Sequence, residues 1–386
     1  MSKKLKVCIY PAGFSGCAYW RVRLPMEALT KKHGEQIDVT ILDSTKMGRR
    51  ELHDIPSQSD LIIFQSPGSE IAVDLLSNYR AMGKKILIEY DDYSFDLSPV
   101  NPRYKDLGCS EVEGMWKDGY NGFDMKSNQH RFEMFKLTCK MADGITVTTD
   151  YLASKFRPYN KNVYIVPNYM DLTRWRQYKR PESLSGQIRI GWFGGDSHLK
   201  DLQEIMPQVT EVIKKYPQTK FVALAPRSLW GAFSGIPQNQ LELQDWASLE
   251  YYPFTLSTQW WDIGLVPIEV NEFGRCKSNI KWLEYASIGT PSVCTDSLPY
   301  SNTVKHGSTG ILAPNTGFLE AMSDLIDNPL KRKAIALNAY NEVHQYYDLA
   351  KGVDTHYKLY RKVTSKSPWY KVCQEPSLFR RLVNAR

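Results

Sequence analysis

The stretch "DIGLVPIEVNEFGRCKSNIKWLEYASIGTPSV" (residues 262–293) reads as strand, loop, helix, turn and strand. Its two ends are short apolar runs of the kind found in strands buried on both faces. Between them, Ser278 or Asn279 can cap a helix, and Ile280, Leu283 and Ile288, with Tyr285 nearby, form its apolar face. A strand–helix–strand unit of this type predicts a parallel sheet covered by helices. Arg275, Lys277, Ser278 and Asn279 crowd the predicted helix start, where free N–H groups favour an anion. Glu284 falls about two turns further on, where a carboxylate gains little from the helix dipole and suits ribose hydroxyls instead. Cations for a diphosphate and an acceptor for a ribose together describe a nucleotide-diphosphate site.

The same alternation extends through the chain. In the N-terminal half the predicted strands are 6–10, 38–42, 60–64, 85–90, 144–149 and 163–167, with helical patterns such as "MEALTKKH" and "HRFEMFKLTCKMADG" between them. After the polar stretch "QYKRPESLSGQ" (177–187) it restarts with strands at 188–193, 220–225, 262–268, 291–295 and 310–314. The fold class expected is α/β, with two Rossmann-like domains facing a cleft. The expected divisions are an N-terminal domain at 1–176, a second domain at 186–347, and a basic helix and tail at 348–386 whose helix crosses back to the first domain. A chain of 386 residues fits two cores better than one. Residues 91–129 form a long Pro/Gly-rich, aromatic insertion after a strand end, a position where substrates sit in this class.

Composition narrows the function classes. No apolar run approaches the roughly 20 residues of a membrane span. The basic, apolar start "MSKKLKVCIYPAG" is interrupted by Pro11 and Gly13 too early for a signal peptide, so Val7 to Tyr10 reads as a first buried strand. Seven scattered Cys without CxxC spacing point to a reducing cytoplasm and away from a disulfide framework or a zinc site. The net charge of +7 is concentrated in residues 351–386, where nine basic residues face two acidic ones. Trp369, Tyr370 and Phe379 lie among them, a mixture suited to nucleic acid or an anionic membrane surface, and equally to a solvated terminal helix.

Two glycine-rich strand–helix turns add to the site. "PAGFSGCAYWRVRLP" places Gly13 and Gly16 after the first strand, and "GWFGGDSHLKDL" places Gly194 and Gly195 after the first strand of the second half. Both permit close backbone approach to an anion, and His198 and Lys200 are placed to reach a phosphate. Neither is a GxGxxG dinucleotide fingerprint, which argues against an oxidoreductase.

The segments "IGWFGGDSHLKDL", "DIGLVPIEVNEFGRCKSNIKWLEYASIGTPSV", "GITVTTDYLASKF" and "VPNYMDLTRW" resemble GT-B glycosyltransferases, nearest the retaining, family-4-like group and its divergent bacterial and phage members. The resemblance implies a nucleotide-diphosphate sugar, a UDP-sugar first, bound mainly by the second domain, an acceptor bound mainly by the first, and no required metal or other cofactor. The family pattern has two glutamates, the first eight positions before the second. With Glu284 as the second, Cys276 stands where the first would be, and Lys277, Ser278, Glu269 or Glu272 must take over. The family's arginine after the second domain's first strand is replaced near Trp192, and its histidine after the fourth strand has no counterpart. Glu89, Asp91 and Asp92 stand there instead and are the catalytic candidates.

Tyr19, Arg21, Arg23, Trp116 and Tyr120 are the acceptor-binding candidates. A hydroxymethylated base in DNA fits the basic tail (Lys371, Arg380, Arg381), "YWRVR" and "MGRRELH". A cell-surface glycan or lipid-linked acceptor, and a non-catalytic nucleotide-sugar binding protein, are the alternatives.

Overall fold

A computed structural model describes residues 3–365 except 14–15, 109–115, 176, 180, 182–183, 185 and 247. The chain forms two six-stranded, all-parallel sheets with helices on their faces. The first sheet contains β1 (Leu5–Tyr10), β2 (Ile37–Ile41), β3 (Leu61–Gln65), β4 (Lys85–Glu89), β5 (Gly144–Val147) and β6 (Val163–Ile165), in the order β2-β1-β3-β4-β5-β6. The second contains β7 (Ile188–Phe193), β8 (Thr219–Leu224), β9 (Leu241–Gln244), β10 (Ile263–Val266), β11 (Ser292–Thr295) and β12 (Ile311–Ala313), in the order β12-β11-β10-β7-β8-β9. Every residue of β3 and β4 is buried, which explains their unbroken apolar character. The edge strand β9 was not among the expected segments: "LELQ" has neither a continuous apolar run nor flanking β-branched residues.

Each sheet has a switch point where the strand order reverses, between β1 and β3 in the first and between β7 and β10 in the second. A crevice opens beyond the carboxyl ends of the strands at such a point, and ligands bind there in open α/β sheets. The carboxyl ends of the two sheets meet across one cleft, because residues following β4 touch residues following β10.

Helix Leu349–Ser365 packs Val353, Leu359, Tyr360 and Val363 into the core of the first sheet with Leu5, Val7, Val22 and Leu29. His33 stacks on Tyr357 and shares a 2.8 Å hydrogen bond with Asp354, fixing this helix against helix Leu24–His33. The two connecting segments lie side by side: Met170 N–H donates to Tyr347 (2.7 Å) and Leu349 N–H donates to Met170 (2.9 Å). No helix among the described residues is long and apolar enough to cross a membrane. Lys371, Arg380 and Arg381 lie outside the described residues.

Candidate active site

The second-domain wall of the cleft is built around helix Ile280–Ser287. All its residues from Lys281 to Ser287 are buried, so the helix is surrounded by protein rather than lying on the surface. Lys281 is 8% exposed, and its ammonium has no hydrogen-bond partner among the described residues. It lies 5.1 Å from the Trp192 ring centroid and 5.6 Å from that of Phe193. Burial lowers its pKa to about 8, although Asp201 opposes the shift. A Cβ on Gly194 would come within 2.6 Å of the Trp192 ring and 3.1 Å of this ammonium, so the glycine makes room for both.

Four residues earlier, in the bend before the helix, Lys277 reaches across the cleft to Asp92 at 3.8 Å and lies 4.2 Å over the Phe273 ring. Burial alone would lower the Lys277 pKa, but Asp92 and Asp201 keep it above the usual lysine value. Asp92 is pushed up to about 6 by burial and the neighbouring Asp91, with Lys277 opposing. Asp201 gathers this wall: one carboxylate oxygen binds His198 Nδ1 at 2.6 Å and the other accepts the Glu269 N–H at 2.7 Å.

Several expected residues take different places. Burial lowers the His198 pKa to about 4, so the imidazole is neutral. The carboxylate of Asp201 only accepts, so Nδ1 carries the proton and Nε2 presents a lone pair. As it stands, His198 offers an acceptor to a ligand hydroxyl rather than a positive charge to a phosphate. Lys200 is 40% exposed and faces Glu204 at 3.9 Å. Arg275 pairs with Glu272 at 3.2 Å instead of facing the helix start. Ser278 accepts from Asn168 Nδ2 at 2.9 Å, and Asn279, at the N-cap position, makes no side-chain cap bond. Glu284 is 2% exposed and shares a hydrogen bond with Tyr252, and burial raises its pKa to about 8. It is therefore a protonated carboxyl at neutral pH, closed off from the cleft surface where a ribose was expected.

On the first-domain wall, Asp91 and Asp92 line a cavity of about 510 Å³ beyond β1, β3 and β4. Glu89 does not reach it: Arg21 Nε donates to Glu89 at 2.6 Å, and Arg21 Nη1 donates to Val166 O (2.8 Å) and Asn168 Oδ1 (2.9 Å). Burial still pushes Glu89 up to about 7 against the pull of Arg21. Arg21, expected at the acceptor, is thus a buried structural cation, carried under the sheet by the π-helical turn Tyr19–Arg23. Tyr19 is buried with Leu24 and Leu349, and Arg23 pairs with Glu27 outside the cleft. Gly13 has a φ of +156°, a conformation that favours glycine, while Gly16 and Gly195 border open space.

In the described part of the insertion, Leu97, Tyr104 and Phe123 cluster with Phe273 of the second domain. Trp116 packs edge-on to Tyr104 and Tyr120 and belongs to this roof rather than to the cavity. Ser98, Val100 and Asn101 cover Asp196, Lys200 and Lys277, leaving a space of only about 10 Å³ there. Another cavity, of about 480 Å³, lies at the opposite end of the second sheet beside Asp262, Pro291 and Arg332, away from every expected site residue. Among the described residues, no cluster of three or more His, Cys, Asp and Glu could hold a metal ion.

No protein-family model matches the chain, and no curated protein matches it by sequence. Solved structures do. Alr3699/HepE from Anabaena in complex with UDP superposes with a TM-score of 0.64 at 13% identity, over 93% of this chain and 100% of that one. A glycosyltransferase from Rickettsia africae gives 0.61 at 11% identity over 94% and 100%, and sucrose-phosphate synthase from Thermosynechococcus elongatus gives 0.60 at 13% over 94% and 99%. This chain has the GT-B fold. In the GT-B fold the cleft described above is the one between the two domains, and Lys281, Lys277 and Asp201 stand at the switch point of its second sheet.

Sequence reasoning did not single out Lys281, Asp201, Tyr252 or Gln65. The signal for Lys281 was present: a lysine inside "NIKWLEYAS", a helix apolar nearly all round, needs a reason to be there.

Proposed function

We propose that this protein is a glycosyltransferase that binds a nucleotide-diphosphate sugar through residues 186–347 and an acceptor through residues 1–176. The observation that carries this reading is Lys281, a buried ammonium without a hydrogen-bond partner among the described residues, beside the Gly194 turn. A buried cation left without an acceptor costs stability, and a diphosphate supplies the acceptor. Lys277 adds a second charge by exchanging Asp92 for the ligand. HepE has been solved with UDP and with UDP-glucose, which makes a UDP-sugar the first donor to test.

In the transfer, the acceptor oxygen forms a bond to the anomeric carbon as the bond from that carbon to the β-phosphate oxygen breaks. The departing oxygen keeps the electron pair, and Lys277 and Lys281 stabilise its charge. Asp91 orients the acceptor hydroxyl. With retention, the outcome the family resemblance implies, attack and departure share one face, and the departing phosphate oxygen takes the hydroxyl proton. The anomeric proton couplings of the product distinguish retention from inversion.

The test is calorimetric titration with UDP-glucose, UDP-N-acetylglucosamine, GDP-mannose and ADP-glucose, together with release of the nucleoside diphosphate. At least one donor binds wild type, and Lys281→Met and Lys277→Ala each weaken it by about 1–3 kcal/mol, the size of a lost charge-assisted bond. Equal affinity in all three proteins overturns the site. Binding without turnover on any acceptor favours a nucleotide-sugar binding protein instead. Support for a DNA acceptor rests on the charge of the C-terminal tail; 5-hydroxymethylcytosine DNA as acceptor, with Lys371, Arg380 and Arg381 neutralised, tests it.

A further inference from the structure

The cavity of about 480 Å³ beside Asp262 and Pro291 takes no part in the site described above. These two residues immediately precede β10 and β11, so the cavity lies at the amino ends of the strands, whereas the cleft lies beyond their carboxyl ends. Its other walls come from the linker between the two sheets, through Tyr178 and Lys179, and from the first two turns of helix Pro329–Tyr346, through Arg332 and Lys333. The linker is seated on the second domain here: a Cβ on Gly289, whose φ is +72°, would come within 2.4 Å of the Gln177 amide. Trp260, also in the wall, is held at φ 53°, a costly conformation for a bulky residue and of the kind that gathers at ligand sites.

The charged lining is three cations to one carboxylate, Lys179, Arg332 and Lys333 against Asp262. That carboxylate is already engaged, because Asp262 Oδ2 accepts the Arg189 N–H at 2.8 Å. Arg332 is fixed in the wall by its Nη1, which donates to Leu325 O at 2.7 Å and Ile326 O at 3.3 Å. Lys179 and Lys333 are exposed arms and form no salt bridge among the described residues. Helix Pro329–Tyr346 has no acidic residue in its first turn to offset its positive end. Like charges gathered round one concavity repel each other, and an anion that several of them reach relieves the repulsion. A phosphate group has the charge and the several acceptor oxygens for this, and a cavity of this size also takes the carbon skeleton that carries it. Tyr178 and Trp260 give that skeleton aromatic surface. Tyr178 packs edge-on to the exposed Phe254 at 5.6 Å, and Leu330 and Leu337, 82% and 60% exposed, share the helix face of Lys333. Exposed apolar side chains around a basic pocket also suit a lipid surface, so a free ester and a lipid headgroup are both sources of the phosphate.

We propose that this cavity is a second ligand site, which holds the phosphate of an organic phosphate ester between Lys179 of the linker and Arg332 and Lys333 of the helix. It does not depend on the glycosyl-transfer reading. Calorimetry on the full chain with glycerol 3-phosphate and ribose 5-phosphate is compared with glycerol and ribose. Sedimentation with phosphatidylglycerol vesicles is compared with phosphatidylcholine vesicles.

At least one phosphate-bearing probe is expected to bind, and neither glycerol nor ribose. Lys179→Glu and Lys333→Glu should each weaken that binding about fivefold or more, since each turns an attraction into a repulsion. Lys214→Glu, an equal change of net charge on an exposed residue of helix Leu199–Lys215, should leave it within about twofold. Lys281→Met should also leave it within about twofold, which separates this cavity from the cleft. Binding of the soluble esters assigns a free ligand. Sedimentation with the anionic vesicles alone, lost in Lys333→Glu and in Phe254→Ser, assigns a headgroup. Failure of every phosphate-bearing probe to bind overturns the proposal, as does binding of all of them indifferent to both lysine reversals or weakened as much by Lys214→Glu.

Discussion

Lys281 places a positive charge against Trp192 and Phe193, and their ring faces and the nearby Asp201 only partly compensate it. Its pKa is about 8 in the folded chain against 10.5 when unperturbed, so between these values the unfolded chain holds more protons. Stability therefore rises with pH through that window, and below about pH 8 the lysine carries its full cost. Lys281→Met is expected to stabilise the ligand-free protein at pH 7 by roughly 1–3 kcal/mol, with the gain shrinking as the pH rises from 8 towards 10.5. Urea melts at pH 7 and pH 10 measure it; a methionine variant less stable at pH 7 contradicts the buried charge. The same lysine predicts that donor binding at pH 8.5 takes up protons, read by calorimetry in buffers of different ionisation enthalpy. Asp92 gives the opposite limb. Its pKa of about 6 lies above the usual 3.8, so it loses its charge on acidification before an ordinary aspartate does. Because Asp92 lies beside Asp91 at the acceptor cavity, transfer should fall with an apparent pKa near 6, and Asp92→Asn should abolish that limb. Glu284 shows where residue-level reading of sequence fell short. Helical spacing set it beside an apolar face, but only the fold shows Tyr252 next to it and the whole helix from Lys281 to Ser287 buried.

Among the elements, the strands and the two glycine turns were legible because a buried parallel strand needs a continuous apolar run and a chain reversal above it needs glycine. "IRIGWF" and "GITV" carry that pattern with no tertiary information. The π-helical turn at Tyr19–Arg23 was not legible. "YWRVR" reads as an exposed basic aromatic cluster, whereas the fold turns Arg21 inward to Glu89 and buries Tyr19. Nor could spacing show that the 91–129 insertion would roof the donor wall, since that depends on Phe273, some 150 residues further on, meeting Leu97, Tyr104 and Phe123. Ser98, Val100 and Asn101 line the narrow space beside Lys277 together with Phe273, so the insertion is placed to control donor entry from that side. Phe273→Ser removes the apolar contact that holds the roof. It is expected to speed donor association severalfold in stopped flow, while costing about 2–4 kcal/mol of stability for the lost packing. An unchanged association rate would mean that the roof does not control entry.

Across the whole molecule, the two halves meet through polar contacts around the cleft as well as through the apolar cluster of Leu97, Tyr104 and Phe123 with Phe273. Tyr151 and Lys155 bind Glu272, Asn168 binds Ser278, and Lys277 faces Asp92. The first group is a half-exposed cluster and is worth at most about 1 kcal/mol per pair. The Asn168–Ser278 bond is the deeper one, because Asn168 also receives Arg21, which holds Glu89 beside the first sheet's switch point. A rearrangement at Ser278, one residue from Lys277, is thereby linked through packed polar groups to Gln65 and the cavity behind it. Such a chain couples two ligands only if the domains have two arrangements that both ligands bias. Asn168→Ala tests the coupling. In wild type, a saturating sugar donor should tighten acceptor binding, and by reciprocity the acceptor should tighten donor binding by the same factor. In the variant each affinity measured alone should change little, while the mutual enhancement falls towards one. If the enhancement survives, the domains communicate by direct contact of the two ligands in the cleft, and the buried Arg21–Asn168–Ser278 path serves only to hold the halves in register.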